Sequence, residues 1–241
     1  MTPIYRPKGK AAEYASWALN IYTGCTHGCE YCYAPSALRK SKDDFADVTV
    51  RKGVELAVMR QLEREDFAGE TIHLCFTCDP YPTGIDTTPT REIIHMIHDA
   101  GAHVQILTKN PLGAELDLDL LGPEDMFGVM ITGAPIEIEP NTGSAFHRVE
   151  TLQRAKKRGI GTWVSCEPVY DVRTIYSLIR RGDFIDRFMI GKLNYHHSDI
   201  DWAVFGSYVE QLCKLYQREY VIKDSLRADM ERLGRSTEVT R

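Results

Sequence analysis

Short apolar runs alternate with longer stretches of helical period along most of this chain, and that alternation constrains the fold more than any other feature. A brief apolar run suits a strand buried in a sheet, whereas apolar residues recurring every three or four positions line one face of a helix. The candidate strands are Ala18–Thr23, Thr71–Phe76, His103–Thr108, Met126–Thr132, Thr162–Cys166 and Ile185–Ile190. The candidate helices are Lys52–Glu65, Thr90–Ala100, Gly113–Leu121, Ser144–Arg158, Val172–Arg181 and Trp202–Gln217. Val54, Ala57, Val58 and Leu62 form one stripe, Ile93, Ile94 and Ile97 a second, and Phe205, Tyr208, Val209, Leu212, Leu215 and Tyr216 a third. Gly101 and Gly159 supply helix stops. Six βα units with right-handed crossovers curl into a partial barrel or a doubly wound sheet, an α/β fold in either case. From Glu219 the chain reads as a short strand, Tyr220–Ile222, and a polar helix from about Ser225.

The 241 residues suffice for one large domain or two small ones. The division expected is a barrel over residues 1–198 and a helical extension over 199–241 packed on the same domain. No apolar run approaches membrane-spanning length, and Met1-Thr2-Pro3-Ile4-Tyr5-Arg6 lacks the apolar core of a secretory signal, so the expected compartment is cytoplasmic, with no membrane partner. A net charge of −5 argues against broad nucleic-acid binding through the whole surface. The basic clusters Arg154, Lys156, Lys157, Arg158 and Arg180-Arg181 read as solvated helix ends.

The residues just beyond each strand carry chemistry. After the first comes a cluster of cysteines, after the second Thr77-Cys78-Asp79-Pro80-Tyr81, and after the third Thr108-Lys109-Asn110. The fourth leads to Thr132-Gly133, the fifth to Cys166-Glu167-Pro168 and the sixth to Gly191-Lys192-Leu193-Asn194. Strand ends of a parallel barrel share one mouth, where catalytic groups gather.

Three of the seven cysteines, Cys25, Cys29 and Cys32, fall within eight residues. Such clustering points to metal or redox chemistry rather than to a disulfide framework. Three thiolates on one loop can hold three irons of a four-iron four-sulfur (4Fe-4S) cluster and leave the fourth iron open for chemistry. Gly24 and Gly28 suit the tight bend. A zinc knuckle with His27 as fourth ligand, or buried and disulfide-prone cysteines, are the competing readings; no second ligand pair occurs at zinc-site spacing. His95, His98, His196 and His197 lack a partnering acid or cysteine nearby in sequence and read as surface or core residues.

Cys-x3-Cys-x2-Cys with an aromatic before the last cysteine resembles the radical S-adenosylmethionine (SAM) superfamily. The resemblance implies a partial TIM-like barrel of six βα units. It also implies a 4Fe-4S cluster on Cys25, Cys29 and Cys32, with SAM on the open iron. Reductive cleavage of SAM would give a 5′-deoxyadenosyl radical that abstracts hydrogen from a substrate. In place of a Gly-Gly-Glu-like motif after the second strand the chain has Phe76-Thr77-Cys78-Asp79-Pro80-Tyr81-Pro82, similar to the spore photoproduct lyase-like branch. Tyr31, Tyr33, Leu107-Thr108-Lys109-Asn110, Glu139-Pro140, Arg148 and Gly159-Ile160 extend that likeness over roughly Leu19 to Pro168.

The resemblance makes Lys109 the partner of the SAM carboxylate and places Tyr31 and Tyr33 near the adenine or over the cluster. Thr77, Asp79, Thr108, Thr132, Arg148 and Glu167 complete the cofactor-binding set, with Cys78 and Cys166 as catalytic hydrogen donors. Cys75 reads as a small core residue of its strand. Spore photoproduct lyases are longer and carry more chain ahead of the cluster loop, so thymine-dimer repair is not carried over. The expected function is a radical lyase or other radical-based modification, with an electron donor such as flavodoxin or ferredoxin and a nucleic acid or nucleotide as substrate. The rivals are a glycyl-radical activase acting on a protein, and a non-catalytic metal-bearing module that binds nucleic acid.

Overall fold

The computed structural model describes residues 2–238. A 3-10 turn, Gly9–Glu13, precedes β1 (Trp17–Leu19), α1 (Ala34–Ala37), α2 (Lys42–Ala46), α3 (Val54–Leu62) and β2 (Thr71–Leu74). Then come α4 (Thr88–Asp99), β3 (His103–Thr108), α5 (Pro111–Glu115), β4 (Met126–Met130), α6 (Ala145–Lys157) and β5 (Gly161–Cys166). The chain closes with α7 (Val172–Arg181), β6 (Arg187–Ile190), α8 (Trp202–Leu215), β7 (Glu219–Ile222) and α9 (Asp224–Glu238). The strands run in chain order through one seven-stranded sheet, β1 to β7. Pairings β1/β2, β2/β3, β3/β4, β5/β6 and β6/β7 are parallel. This is the winding of an α/β, partial TIM-like barrel, with the tail strand added to the six expected. None of the described helices is long and apolar enough to cross a membrane.

Two compact units make up the chain. The first is Met1–Val129 with Pro135–Gly161, the second Met130–Ala134 with Thr162–Arg241. In the first, Ile72, Leu74, Val104, Ile106, Phe127 and Val129 of the strands are buried with Val58 of α3, Ile93, Ile94 and Ile97 of α4, and Leu152 and Ala155 of α6. Each such Val, Leu, Ile or Phe side chain stabilises the fold by about 1.5–3 kcal/mol through loss of apolar surface to water. α6 starts where the Ser144 hydroxyl accepts from the His147 N–H at 3.2 Å, and its stop, Gly159, has φ +82°. The N-terminal segment is fixed by a buried amide pair: Gln61 accepts from the Ile4 N–H and donates to the Ile4 carbonyl, both at 2.9 Å.

β2 and β4 end two residues earlier than expected, at Leu74 and Met130, so Cys75 lies just past its strand; β1 and α5 differ most from the periodic reading. β1 ends at Leu19 because the next residues find other partners: the Asn20 side chain accepts from the N–H groups of Phe76 and Thr77, and Tyr22 bridges Val50 in the antiparallel sense. α5 starts and stops early. Asn110 caps it, Pro111 opens it, and beyond Glu115 the chain proceeds by three-residue turns, Asp117 N–H to Ala114 O and Leu120 N–H to Asp117 O.

In the second unit, Trp163, Val164, Phe188, Ile190 and Ile222 are buried with Ile175 and Ile179 of α7, Phe205, Val209 and Leu212 of α8 and Leu226 of α9. Asp171 caps α7 by accepting from the N–H groups of Arg173 and Thr174 at 3.1 and 3.0 Å. Gly206 lets α8 and α9 approach closely, since a Cβ there would lie 2.6 Å from Met230. His98 pairs with Asp125 at 3.0 Å in the first unit, and His95, His196 and His197 are exposed.

Candidate functional site

The loop from Gly24 to Tyr33 owes its shape to backbone contacts in the first unit. The Cys25 N–H donates to the Phe45 carbonyl at 2.9 Å, and a Cβ on Gly24 would lie 2.1 Å from that same oxygen. Only glycine allows the two backbones to approach so closely. Gly28, at φ +65°, makes the turn between the first two cysteines. A latch holds the tip: Thr26 Oγ1 donates to the Thr83 carbonyl, Thr83 Oγ1 to the Asn141 carbonyl, and Asn141 Nδ2 to the Thr26 carbonyl, each at 2.9 Å. These residues, with Asn110, Leu112, Thr142 and Gly143, line a pocket of about 490 Å³ beside the loop.

Cys25, Cys29 and Cys32 are free thiols, Cys29 buried and the other two half-buried. Burial pushes the Cys25 and Cys29 thiols up, and Lys109 acts in the opposite direction on both. The His27 N–H donates to the Cys25 sulfur. A thiol so raised gives up its proton when a metal cation takes its place.

Lys109 is held at the end of β3 by a carboxylate clamp. Asp79 accepts from Thr108 Oγ1 at 2.6 Å, from the Tyr81 N–H at 2.9 Å and from the Lys109 N–H at 2.9 Å. His27 Nδ1 stands 3.4 Å from the same carboxylate, while its Nε2 is buried with no hydrogen-bond partner among the described residues. Asp79 and Thr108 thus spend their polar atoms on protein partners and position their neighbours. The Lys109 ammonium lies 5.3 Å from the Tyr31 ring centroid, within cation–π range. Burial works against its charge, but the surrounding Cys29, Glu139 and Cys32 raise the Lys109 pKa overall.

Tyr31 donates a hydrogen bond to Glu139, which also takes Arg148 Nη2 at 2.8 Å. Arg148 further donates to Thr142 Oγ1 at 2.6 Å and to the Gly143 carbonyl at 2.8 Å, so its guanidinium is buried but satisfied. Tyr33, half its surface exposed, donates to the Phe76 carbonyl at 2.8 Å and ties the cluster loop to the segment after β2. In that segment Arg51 donates to Thr77 Oγ1 at 3.3 Å.

Thr132, Cys166 and Glu167 belong to the second unit. Thr132 and Cys166 are fully buried, and burial lifts the Cys166 thiol. Glu167 is 3.1 Å from the buried Lys223 ammonium and accepts from Asn194 at 3.2 Å; its side chain lies against Gly191, where a Cβ would be 2.6 Å away.

The first unit therefore brings Cys25, Cys29, Cys32, Tyr31, Tyr33, Thr77, Cys78, Asp79, Thr108, Lys109 and Arg148 into one connected network. The sequence reading missed Asn20 and Arg51, neither of which carries a local signal.

A family model, the Radical SAM superfamily, matches residues 19–170, and the chain belongs to that superfamily. An uncharacterised protein of Acidianus two-tailed virus, ORF301, is 28% identical over 170 residues, 64% of this chain and 56% of that protein. An uncharacterised protein of Mycobacterium bovis is 24% identical over 188 residues, 72% of this chain and 54% of that one, so the chain spans about half the length of the curated relatives it matches. Among solved structures, spore photoproduct lyase complexed with dinucleoside spore photoproduct superposes with a TM-score of 0.68 at 15% identity, over 92% of this chain and 79% of that one. SuiB of Streptococcus suis bound to the precursor peptide SuiA gives 0.63 at 13% identity, over 90% of this chain and 51% of SuiB. At such identities the likeness establishes the fold.

Among the described residues no three His, Cys, Asp or Glu side chains converge on a single metal ion. A 4Fe-4S cluster makes a different demand, one thiolate for each of three irons. The donor set fits it: three free thiols on one latched loop, a lysine cation beside two of them, and a buried imidazole nitrogen in the same loop without a protein partner.

Proposed function

We propose that this chain is a radical SAM enzyme in which Cys25, Cys29 and Cys32 each ligate one iron of a 4Fe-4S cluster and SAM binds beside Lys109. Bound there, the cluster supplies the electron for reductive cleavage of SAM to methionine and a 5′-deoxyadenosyl radical, the species that takes a hydrogen atom from substrate. The observation that supports this reading best is the Lys109 cation held over Tyr31 and next to Cys29 and Cys32 by the Asp79–Thr108 clamp. A compact ammonium fixed beside the thiols suits an anionic carboxylate such as that of SAM.

Around it, Tyr31 offers a ring face to the adenine, with Glu139 and Arg148 fixing its hydroxyl. Tyr33 covers the loop toward Thr77. Cys78 is the hydrogen donor to the product radical. An electron donor of the flavodoxin or ferredoxin type completes the system, in the cytoplasm.

For the substrate we favour a nucleic acid or nucleotide, with lyase-type or other radical modification chemistry, because the spore photoproduct lyase in the comparison is complexed with dinucleoside spore photoproduct. A peptide is the second reading, supported by the SuiB neighbour with its bound precursor peptide.

The test is anaerobic reconstitution with iron and sulfide, then addition of SAM and a reductant. The reading expects brown protein that forms 5′-deoxyadenosine, loses both colour and product in Cys29→Ala, and shows a KM for SAM raised roughly 10-fold or more in Lys109→Ala, as about 1.4 kcal/mol of lost binding would give. Protein that carries iron and sulfide yet forms no 5′-deoxyadenosine overturns it. Deuterium transfer into 5′-deoxyadenosine from labelled oligonucleotide or labelled peptide separates the two substrate classes.

A further inference from the structure

His27 lies two residues beyond Cys25 and two before Cys29. Two residues of chain span at most about 7 Å, so its Cα stays within that distance of both cysteine Cα atoms. Its side chain is only 3% exposed, yet its two ring nitrogens have unlike surroundings. Nδ1 stands 3.4 Å from the Asp79 carboxylate, whereas Nε2 is buried with no hydrogen-bond partner among the described residues.

The carboxylate decides which nitrogen carries the ring proton. An ionised carboxylate offers only lone pairs, so the stable arrangement turns an N–H toward it, from Nδ1. In a neutral imidazole that proton is the only one, and Nε2 keeps a bare lone pair. Asp79 is not free to swing away. Its Oδ1 accepts from Thr108 Oγ1 at 2.6 Å and from the Tyr81 N–H at 2.9 Å, and its Oδ2 accepts from the Lys109 N–H at 2.9 Å. A fixed carboxylate on one ring nitrogen and an unused lone pair on the other is the arrangement that orients metal-binding histidines. A buried acceptor with nothing to accept is costly, so the lone pair calls for something that the folded chain binds.

The sulfurs and the imidazole do not form a site for one ion: among the described residues no three His, Cys, Asp or Glu side chains converge on a single metal. A zinc knuckle of these four residues would need all its ligands at about 2.0–2.3 Å from one centre. A 4Fe-4S cluster instead spreads its ligands, one to each iron. Three irons go to Cys25, Cys29 and Cys32 in the function proposed above, and one remains.

We propose that His27 Nε2 is the ligand of that fourth iron whenever SAM is absent, and that SAM binds by displacing it. The proposal rests on the cluster reading and adds a protein ligand to it. In the exchange the iron–nitrogen bond breaks and bonds form from the iron to the SAM amino nitrogen and carboxylate oxygen. The ammonium proton passes to water, and no electron moves. The imidazole is then a cap on the reactive iron, closing it to oxygen and small thiols and giving way to a ligand that binds through two atoms at once.

The experiment uses the full chain, made with ordinary histidine or with histidine labelled with heavy nitrogen. It is reconstituted anaerobically with iron and sulfide, reduced with dithionite, and studied by pulsed electron paramagnetic resonance with and without SAM. Without SAM, the reduced cluster should show a directly bonded nitrogen whose coupling changes with the label. Added SAM should remove that coupling and bring in one that ignores the histidine label. His27→Gln should keep its iron and sulfide, lack the label-sensitive coupling, and bind SAM several-fold more tightly, because no ligand has to be displaced. The label is read in the wild-type chain, so the test holds even where the variant fails to assemble a cluster. A SAM-free reduced cluster whose couplings ignore the label, or a label-sensitive coupling that survives in His27→Gln, overturns the proposal. Assay of 5′-deoxyadenosine on the same samples separates the two readings: product without the coupling removes only the His27 ligand, and the coupling without product removes only the radical chemistry.

Discussion

Single residues decide whether the cluster loop has its shape. Asp79 takes three hydrogen bonds from Thr108, Lys109 and Tyr81, and its side chain is only 9% exposed. Asp79→Ala leaves those donors without a partner in a site water reaches poorly. Stability should fall by about 3 kcal/mol in urea unfolding, the cost of two or three stranded donors. Gly24→Ala meets the Phe45 carbonyl and must move the loop; we expect roughly 1–3 kcal/mol of destabilisation and less iron per chain after reconstitution, with Gly159→Ala, far from any neighbour, sparing iron content. Such roles were unevenly legible. The cysteine spacing and Lys109 stand out in the sequence because their chemistry is in the residue type. Asp79 stood out too, but as a ligand-binding group; that its carboxylate faces inward to three protein donors depends on how two strand ends meet, which no local pattern encodes. Asn20 and Arg51 act through long-range hydrogen bonds and had no signal at all.

At the level of elements, periodicity locates segments well and their ends less well. α7 matches its expected limits, since Asp171 and Gly182 mark both ends in sequence. β1 and α5 do not, because strand ends are set by competition among long-range partners and helix ends by the first side chain able to cap. The α8–α9 crossing was not legible, because Gly206 looks like a weak point in a helix until Met230 is seen against it. Gly206→Ala should be destabilising, because its Cβ would meet Met230 Cγ and Sδ at 2.6 Å, a clash that alanine's helix preference does not offset. Gly206→Leu should cost about 1–3 kcal/mol by overpacking, read as a lowered unfolding midpoint and faster backbone hydrogen exchange in α9.

Over the whole molecule, acid should act in one direction. His73 is fully buried, hydrogen-bonded to Gln105 at 3.0 Å, and burial depresses its pKa to about 3. The unfolded chain binds a proton at that imidazole below about pH 6.5, while the folded chain does not until about pH 3. Stability is therefore lost as pH falls across that window. Asp125 and Asp171 are held below the usual carboxylate range: burial would raise both, but hydrogen bonds from His98, Val104 and Gly122 to the first, and from Thr174 and Arg173 to the second, prevail. Their contribution is complete above about pH 4 and fades only below it. Urea midpoints should fall steadily from pH 6.5 downward, and His73→Gln should flatten the portion above pH 4.5. A midpoint that rises on acidification contradicts this account.

The Thr26–Thr83–Asn141 triangle joins stretches of polypeptide far apart in sequence at the tip of the cysteine loop. Each corner donates through its side chain and accepts through its carbonyl, so truncating one side chain opens the ring and leaves two of the bonds in place. At about 0.5–1.5 kcal/mol for each bond, such a ring yields by steps, and the loop tip keeps two anchors where a single tether would leave none.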